Sequence, residues 1–597
     1  MRSSEPGRQN VPWFDRNFFR SAEPITRIGY GRLGGKASGL VRIRELLQRE
    51  FDADRFPGVE VYVPKMVVIA TDVYDAFMER NGLVETALSA HADHPLAEAF
   101  QRAELPVEIL GDLHALAEEA HTPLAVRSSS LLEDALQRPF AGVYGTKMLP
   151  NNSPDADTRF RHLVEAIKYV FASTWFQSAK SYIRATDRAS TDEKMAVIVQ
   201  EVVGRRHDER FYPDLSGVGR SYNFFPAADA KPADGVVNLA LGLGKTIVDG
   251  GVSWIYTPTR PRAPMPFNSV DDILKLTQLS FWAVNMGRPP AYDPIAETEY
   301  LVQADLAAAD YDDTLAAVAS TYDANRGRFL PGTARPGPRV VDFAPLLGAA
   351  QTPFNEVVRE LLALGERALG DAVEIEFAGD LPDRGRGTVR LGFLQLRPML
   401  VSQHEVDIAD ADLASPDLLL ATGRAIGNGA FDSISDIVYV RPESFEARLT
   451  PTIASELDRV NRTLVEEQRP YLLLGFGRWG SSDPWLGIPV EWGQIAGARV
   501  IVESTLPEMN VELSQGAHFF HNLLSFDVPY LSVAHDPNAA GYIRDIDWAW
   551  LDRQAALNET ALVRHVRLPH PLFIAVDGRS GRGAVWREPP TREDRSA

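Results

Sequence analysis

VEIEFAGD at residues 373–380, followed after a polar Gly/Asp/Arg loop by LGFLQLRPML at residues 391–400, is the stretch on which the reading of this chain turns. Period-two alternation makes the two runs an antiparallel hairpin. Glu374 and Glu376 then share one face of a strand, and Gln395 and Arg397 share one face of its partner, while Val373, Ile375, Phe377, Leu394 and Leu396 point into a core. Two carboxylates that close repel each other, and a divalent cation lets both stay ionised. Oxygen-only ligands of this kind suit Mg²⁺, which keeps its remaining positions for water and substrate phosphates. The competing reading is a strand face with an Arg–Glu salt bridge, and the hairpin alone leaves both open.

The rest of the chain bounds the answer. Its 597 residues are 45% hydrophobic, long enough for several packed domains of about 150 residues each. The 61 Lys+Arg against 81 Asp+Glu leave a formal charge of −20. A phosphate-tracking basic surface is not expected, so nucleic acid is not an expected partner, and any anion site must be a local concentration of basic groups and N–H donors. The start, MRSSEPGRQNVPWFDRNFF, has no apolar signal region and no window is long and apolar enough to cross a bilayer. A soluble cytoplasmic protein without membrane contact is the expectation. There is no cysteine, which removes disulfides, thiolate ligands and cysteine nucleophiles.

Residues 1–19 are expected to be disordered or extended and 578–597 to be a disordered tail. From 20 to 400 helix-period segments (Ala37–Leu47, Thr71–Asn81, Leu110–Ala120, Thr158–Thr186, Asp271–Met286, Pro353–Leu369) mix with β-rich runs such as VYVPKMVVIA, PLAVRSS, MAVIVQEVV and SYNFFP. This is an α+β pattern without regular βαβ alternation. An acidic stretch at 401–418 reads as a linker, and a smaller α/β domain is expected over 419–577.

Two glycine motifs fail as fingerprints. IGYGRLGGK has Gly29, Gly31 and Gly34 at dinucleotide-binding spacing but no apolar strand before it, and LALGLGKT has Leu239 where a phosphate loop needs its first glycine. Each still offers a glycine turn followed by a lysine, Lys36 in one and Gly244-Lys245 in the other, which are parts that hold polyphosphate. PLAVRSSSLLEDALQRPFAGVYGTKML is harder to explain as structure alone. An apolar strand delivers Arg127, the hydroxyls of Ser128–Ser130 can donate to phosphate oxygens, and Phe140-Ala141-Gly142 to Gly145 make a small-residue loop able to fold over a nucleotide tail. A Ser N-cap with Glu133 in the first turn is the structural alternative. MAVIVQEVV reads as a buried strand ending at Gln200-Glu201, where an adenine edge could meet polar groups beside apolar walls.

Taken in order, GGKASGL, VPKMVVIATDVY, VRSSSLLED with FAGVYGT, MAVIVQEVV, SGV with NFFP, LGLGKTIVDGG, EIEFA and LQLRP resemble the nucleotide-binding region of the phosphoenolpyruvate synthase and pyruvate phosphate dikinase family. The resemblance covers about residues 25–400 and implies an ATP-grasp-type fold that binds ATP with Mg²⁺. Carried onto this sequence, it implies that Lys36 and Arg127 bind phosphate, that Gln200-Glu201 lie beside adenine, that Glu374 and Glu376 are Mg²⁺ ligands, and that Gln395 and Arg397 serve the metal and the phosphates. Phosphoryl transfer needs positioning and charge neutralisation, which these residue types supply. Lys245 departs from the family, whose members commonly carry an acid there. The family's full-length synthases also end in a barrel that uses a cysteine, and this chain has none.

The family's swivelling domain carries a phosphorylatable histidine in a segment like G-G-x-T-S-H. LSQGAHFFHNLLSFDVPYLSV resembles it, with Gly516, His518 and then Val528-Pro529, although Ala517 replaces the usual hydroxyl residue. The resemblance makes His518 a catalytic phosphocarrier candidate, set against a helix N-terminal histidine satisfied by backbone. In GFGRWGSSDPWLGIPVEWGQ, Trp479, Trp485 and Trp492 read as packing, with Arg478 and Asp483 as polar candidates. The expected function is Mg²⁺-ATP-dependent phosphotransfer to an unknown phosphoryl acceptor. The alternatives are ATP-dependent carboxylate ligation and an ATP-binding regulatory module.

Overall fold

Val373–Asp380 and Val389–Pro398 pair antiparallel, with Glu374 opposite Arg397 and Glu376 opposite Gln395. The computed structural model describes residues 11–588 apart from 91, 132–143, 181–192, 224–229, 250, 263–269, 271–272, 275–276, 349–352, 383–386, 400–405, 407, 482, 484, 508–527, 540 and 579. The register slips after Glu376, so that Phe377 faces Phe393 and Leu394 is the extra residue of a bulge. Simple alternation placed Leu394 in the core. The bulge instead leaves Leu394 partly exposed and turns Phe393 inward, where it is fully buried.

This hairpin lies in a six-stranded sheet whose order is Trp254–Tyr256, Val236–Ala240, Leu215–Arg220, Val373–Asp380, Val389–Pro398 and Val59–Tyr62. Neighbours are antiparallel except at the Val59–Tyr62 edge. One face is apolar. Val373, Ile375, Phe377 and Leu396 join a core with Leu40 and Ile43 of the helix Gly35–Glu50 and Val357, Val358 and Leu361 of the helix Phe354–Leu369. The second helix repeats its apolar residues every three or four positions and stops at Gly370, left-handed at φ 78°, whose N–H donates to the Glu366 carbonyl at 2.7 Å. The opposite face carries the glutamates.

A five-stranded sheet has the order Ile25–Ile28, Met66–Ile69, Met195–Glu201, Leu124–Ser130 and Thr146–Leu149. Helices Thr71–Arg80 and Ala156–Ser173 pack on it. The two sheets are joined where the chain leaves Val59–Tyr62 for Met66–Ile69, and beside that crossing Met195–Glu201 runs on toward Arg205–His207, the edge strand of a separate four-stranded sheet. At that crossing the Glu201 N–H donates to the Lys65 carbonyl and the Val202 N–H to the Pro123 carbonyl, both at 2.9 Å. Gly392 lets the crossing lie flat on the six-stranded sheet, since a Cβ there would be 2.6 Å from Val203 Cγ2.

Several expected elements differ. The helix expected over Asp271–Met286 is in part the strand Ser280–Asn285, paired with Leu301–Asp305 and Arg210–Tyr212, because SFWAVN buries Phe281, Ala283 and Val284 between strand neighbours. The helix expected over Thr158–Thr186 is interrupted after Ala156–Ser173 by a turn at 174–176, with 177–180 again helical and 181–186 outside the described residues. Of SYNFFP, Ser221 and Tyr222 form a bend. At the amino end, residues 11–20 are anchored: Val11 and Phe18 are buried and Trp13 bridges Arg27.

The chain divides into two compact units, one of Met1–Tyr222, Ala233–Ile247 and Val252–Met399, the other of Asn223–Pro232, Val248–Gly251 and Leu400–Ala597. The second is dominated by a ten-stranded mixed sheet. Asn428–Val440, Tyr471–Phe476, Ala498–Ser504 and Tyr530–Val533 run parallel, with helix Thr450–Glu466 linking the first two. Asp436 locks the start of this group by accepting from Arg469 Nε at 3.1 Å and pairing with His565 Nε2 at 2.8 Å. The expected tail is a correction: Arg582–Trp586 lies inside the sheet, paired with both Val563–Asp577 and Leu418–Thr422, because its Ala584, Val585 and Trp586 are core residues. The expected linker holds a short helix, Asp410–Leu413, and buried Ile408. Among the described residues no helix is long and apolar enough to cross a membrane.

Two predictions follow from this packing. Gly34, at φ +78°, begins the helix Gly35–Glu50, and a Cβ on it would lie 1.7 Å from the Ser129 carbonyl oxygen. Gly34→Ala should cost at least about 2 kcal/mol in urea unfolding, from backbone strain and overpacking together. Burial and the neighbouring Asp214 push the Asp380 carboxyl up to about 6 from 3.8. The native state therefore holds this proton more tightly than the unfolded chain, and the contribution is present below 3.8 and lost as pH rises through about 6. Asp380→Asn should be more stable relative to wild type at pH 7 than at pH 4, measured by unfolding at both.

Candidate functional site

Glu374 is 1% exposed and sits between two arginines. Arg397 Nε donates to its Oε1 at 2.7 Å, with Nη2 on the same oxygen, and Arg220 Nε donates to its Oε2 at 2.6 Å. Alternation explains the arrangement: Arg397 faces Glu374 from one neighbouring strand and Arg220 from the other. The salt-bridge reading therefore describes Glu374, whose two oxygens both hold guanidinium groups. Its carboxylate is an anchor for cations. Arg220 was missed in the sequence, where its only signal was an arginine closing the glycine-rich run SGVGR.

Glu376 is placed differently. Its Oε2 lies 3.6 Å from Arg127 Nη2, and that same nitrogen donates to Gln395 Oε1 at 2.8 Å. Arg127 projects from the five-stranded sheet and also donates to the Leu394 carbonyl at 3.2 Å, the residue freed by the bulge. Its remaining contact is Gln200 Oε1 at 3.5 Å. One guanidinium thus gathers Gln200, Gln395 and Glu376 from two sheets. Lys36 arrives from the helix start, with its Nζ 3.2 Å from Ser128 Oγ, while Ser129 Oγ accepts from the Ala37 N–H at 3.0 Å and caps that helix. The expected Ser N-cap with Glu133 in the first turn is not what Ser129 does: it lies in the strand Leu124–Ser130 and serves the start of the distant helix Gly35–Glu50, while Glu133 lies outside the described residues. A helix N-terminus beside a lysine favours anions.

Gln200 is buried, and Glu201 turns the other way along the strand to accept from Thr122 Oγ1 at 3.0 Å. Burial pushes the Glu201 carboxyl up, and the Thr122 bond and Lys65 pull it down. Gly244 and Lys245 follow the strand Val236–Ala240, and Ile247 of the short helix Lys245–Val248 packs with Val218 and Ala240, a cluster next to Glu376 on the glutamate face. Gly142, Gly516, Ala517 and His518 lie outside the described residues. In the second unit Trp479 and Trp492 are buried as packing residues, Trp485 is 74% exposed, and Asp483 Oδ1 accepts from the Trp485 N–H at 2.9 Å.

A family model described as the pyruvate phosphate dikinase AMP/ATP-binding domain matches residues 30–415. The chain belongs to this family. A protein of Bacillus subtilis (strain 168) described as the uncharacterized phosphotransferase YvkC is 27% identical over 191 residues, 32% of this chain and 20% of that protein. The chain thus spans about a fifth of that relative's length.

The family's AMP/ATP-binding domain raises the question of a metal. Among the described residues no three His, Asp or Glu side chains are grouped to hold one. Mg²⁺ asks for less, since one or two carboxylates and the substrate's own phosphates complete its shell. Glu376 and the Gln395 side-chain oxygen, opposite each other across the hairpin and gathered by Arg127, fit that demand. Glu374 fits it poorly because both of its oxygens hold buried guanidinium groups, whereas Gln395 Oε1 accepts from Arg127 and has a second lone pair to offer.

The two glutamates should separate on mutation. Glu374→Ala leaves two buried guanidinium groups without their partner and should cost about 3–5 kcal/mol in urea unfolding. Glu376→Gln should keep wild-type stability while weakening Mg²⁺-dependent nucleotide binding at least tenfold in calorimetry.

Proposed function

We propose that the first unit binds Mg²⁺-ATP on the glutamate face of the six-stranded sheet and that the chain transfers a phosphoryl group from it. The observation that carries this reading is the grouping of basic side chains. Arg220 and Arg397 hold Glu374, Arg127 stands 3.6 Å from Glu376, and Lys36 meets Ser128, the residue after Arg127, in a chain whose formal charge is −20. Such a local excess of positive charge, together with a helix start, suits a polyphosphate.

In this reading Arg127 and Lys36 hold phosphate oxygens. Arg397, fixed by Glu374, presents its guanidinium to the transferring group, and Arg220 holds Glu374 from behind. Gln200 and the backbone at Glu201 receive the adenine, while Ser128, Gly142, Gly244 and Lys245 complete the phosphate contacts. Glu376 and Gln395 would hold Mg²⁺, which supplies neutralisation of the developing phosphate charge. The substrate puts the reaction in the cytoplasm.

The acceptor step is assigned to His518. The similarity to the swivelling phosphohistidine domain supports this residue. Purified protein incubated with Mg²⁺ and ATP labelled separately at β and γ should acquire acid-labile label that His518→Ala lacks. Nucleotide turnover without protein-bound label would move the reading to carboxylate ligation, and binding without turnover, with candidate acceptors present, would leave a regulatory module.

A further inference from the structure

Behind the crossing that joins the two sheets lies a cleft of about 390 Å³ whose side chains the nucleotide reading does not use. Strand alternation separates it from the phosphate site: Gln200 turns toward Arg127, whereas Glu201, the next residue, lines the cleft. Its floor is apolar, formed by Leu47 of the helix Gly35–Glu50 and by Val61 and Val63 at the sheet edge. Three cations border it: Arg44, Lys65 and Arg390.

Arg44 is the decisive group. It is 9% exposed, its Nη1 is held by Glu23 at 2.6 Å, and its Nε is buried without a hydrogen-bond partner. A buried guanidinium N–H left unpaired costs stability unless something else occupies it. Lys65 uses two of its three ammonium protons on the carbonyls of Phe18 and Ser21, both at 2.7 Å. Arg390 pairs with Glu60 at 3.1 Å and lies 4.7 Å over the Tyr62 ring, which makes a planar wall.

We propose that this cleft is a binding site for a small organic acid, its carboxylate or phosphate on the Arg44 guanidinium and Lys65 and its carbon body against Leu47, Val63 and Tyr62. The volume suits a single-ring or branched-chain acid, and the lining, mostly apolar with a few convergent donors, is that of a small-molecule site. The site stands whether or not the glutamate face binds ATP. Because the Lys65 carbonyl holds the Glu201 N–H, an occupant braces the connection between the two sheets.

Ligand-observed NMR titrations at low ionic strength test this with three probes: benzoate, phenyl phosphate and the neutral benzyl alcohol. The expected result is saturable binding of one or both acids, at least tenfold tighter than benzyl alcohol, and weakened at least tenfold in Arg44→Gln and in Leu47→Trp, which fills the cleft. The Lys36→Ala variant, altered at the phosphate site, should retain it. The relative strength of the two acids identifies the acidic group. Absence of binding by either acid, equal binding of benzyl alcohol, or loss confined to Lys36→Ala would overturn the proposal.

Discussion

The grip of Arg220 and Arg397 on the buried Glu374 is the interaction on which the site depends. Three charges on neighbouring strands are removed from water, and such groups repay their desolvation only when geometry and hydrogen bonding are both good. Here both carboxylate oxygens are used and both guanidinium groups are oriented. The arrangement contributes position more than stability. Without Glu374, two mutually repelling cations would stand side by side on the sheet without the carboxylate that orients both.

That fixed pair sets what the other face elements can do. Arg127 comes from a different sheet and spends its donors on Gln395, the Leu394 carbonyl and Gln200, so it couples the strand that ends beside the adenine candidates to the hairpin that carries the glutamates. The bulge at Leu394 serves this coupling: it breaks the ladder where Arg127 needs an acceptor and brings Phe393 into the core. Glu376, left outside the Glu374 triad, is the carboxylate with room to serve a substrate.

Much of this was legible in the sequence because strand alternation is strict. That Glu374 and Glu376 share one strand face, and Gln395 and Arg397 one face of its partner, follows from period-two spacing, as does the buried MAVIVQEVV strand, and the ordered motifs identified the nucleotide-binding family. The bulge was not legible, since nothing in FLQL marks which residue is skipped. Arg220 was invisible because its role comes from a neighbouring strand more than 150 residues away in the chain, a pairing only the fold supplies. Asp271–Met286 misled because LTQLSFWAVNM has apolar spacing compatible with a helix, while the sheet neighbours that make Ser280–Asn285 a strand are distant in sequence. The strand Arg582–Trp586 was mistaken for tail because the charges around GAVW outweighed its four small and apolar residues.

The five- and six-stranded sheets of the first unit are connected directly through Val63 to Lys65, and the neighbouring segment Glu201 to Gly204, which leads to the four-stranded sheet, is tied to it by the Glu201–Lys65 backbone bond. One hydrogen bond therefore makes two exits from the five-stranded sheet share a single seam. A displacement that carries both segments together leaves this bond intact, whereas one that slides either past the other breaks it. Arg127, which bonds Gln395 across the same pair of sheets, is the side-chain counterpart of that backbone seam.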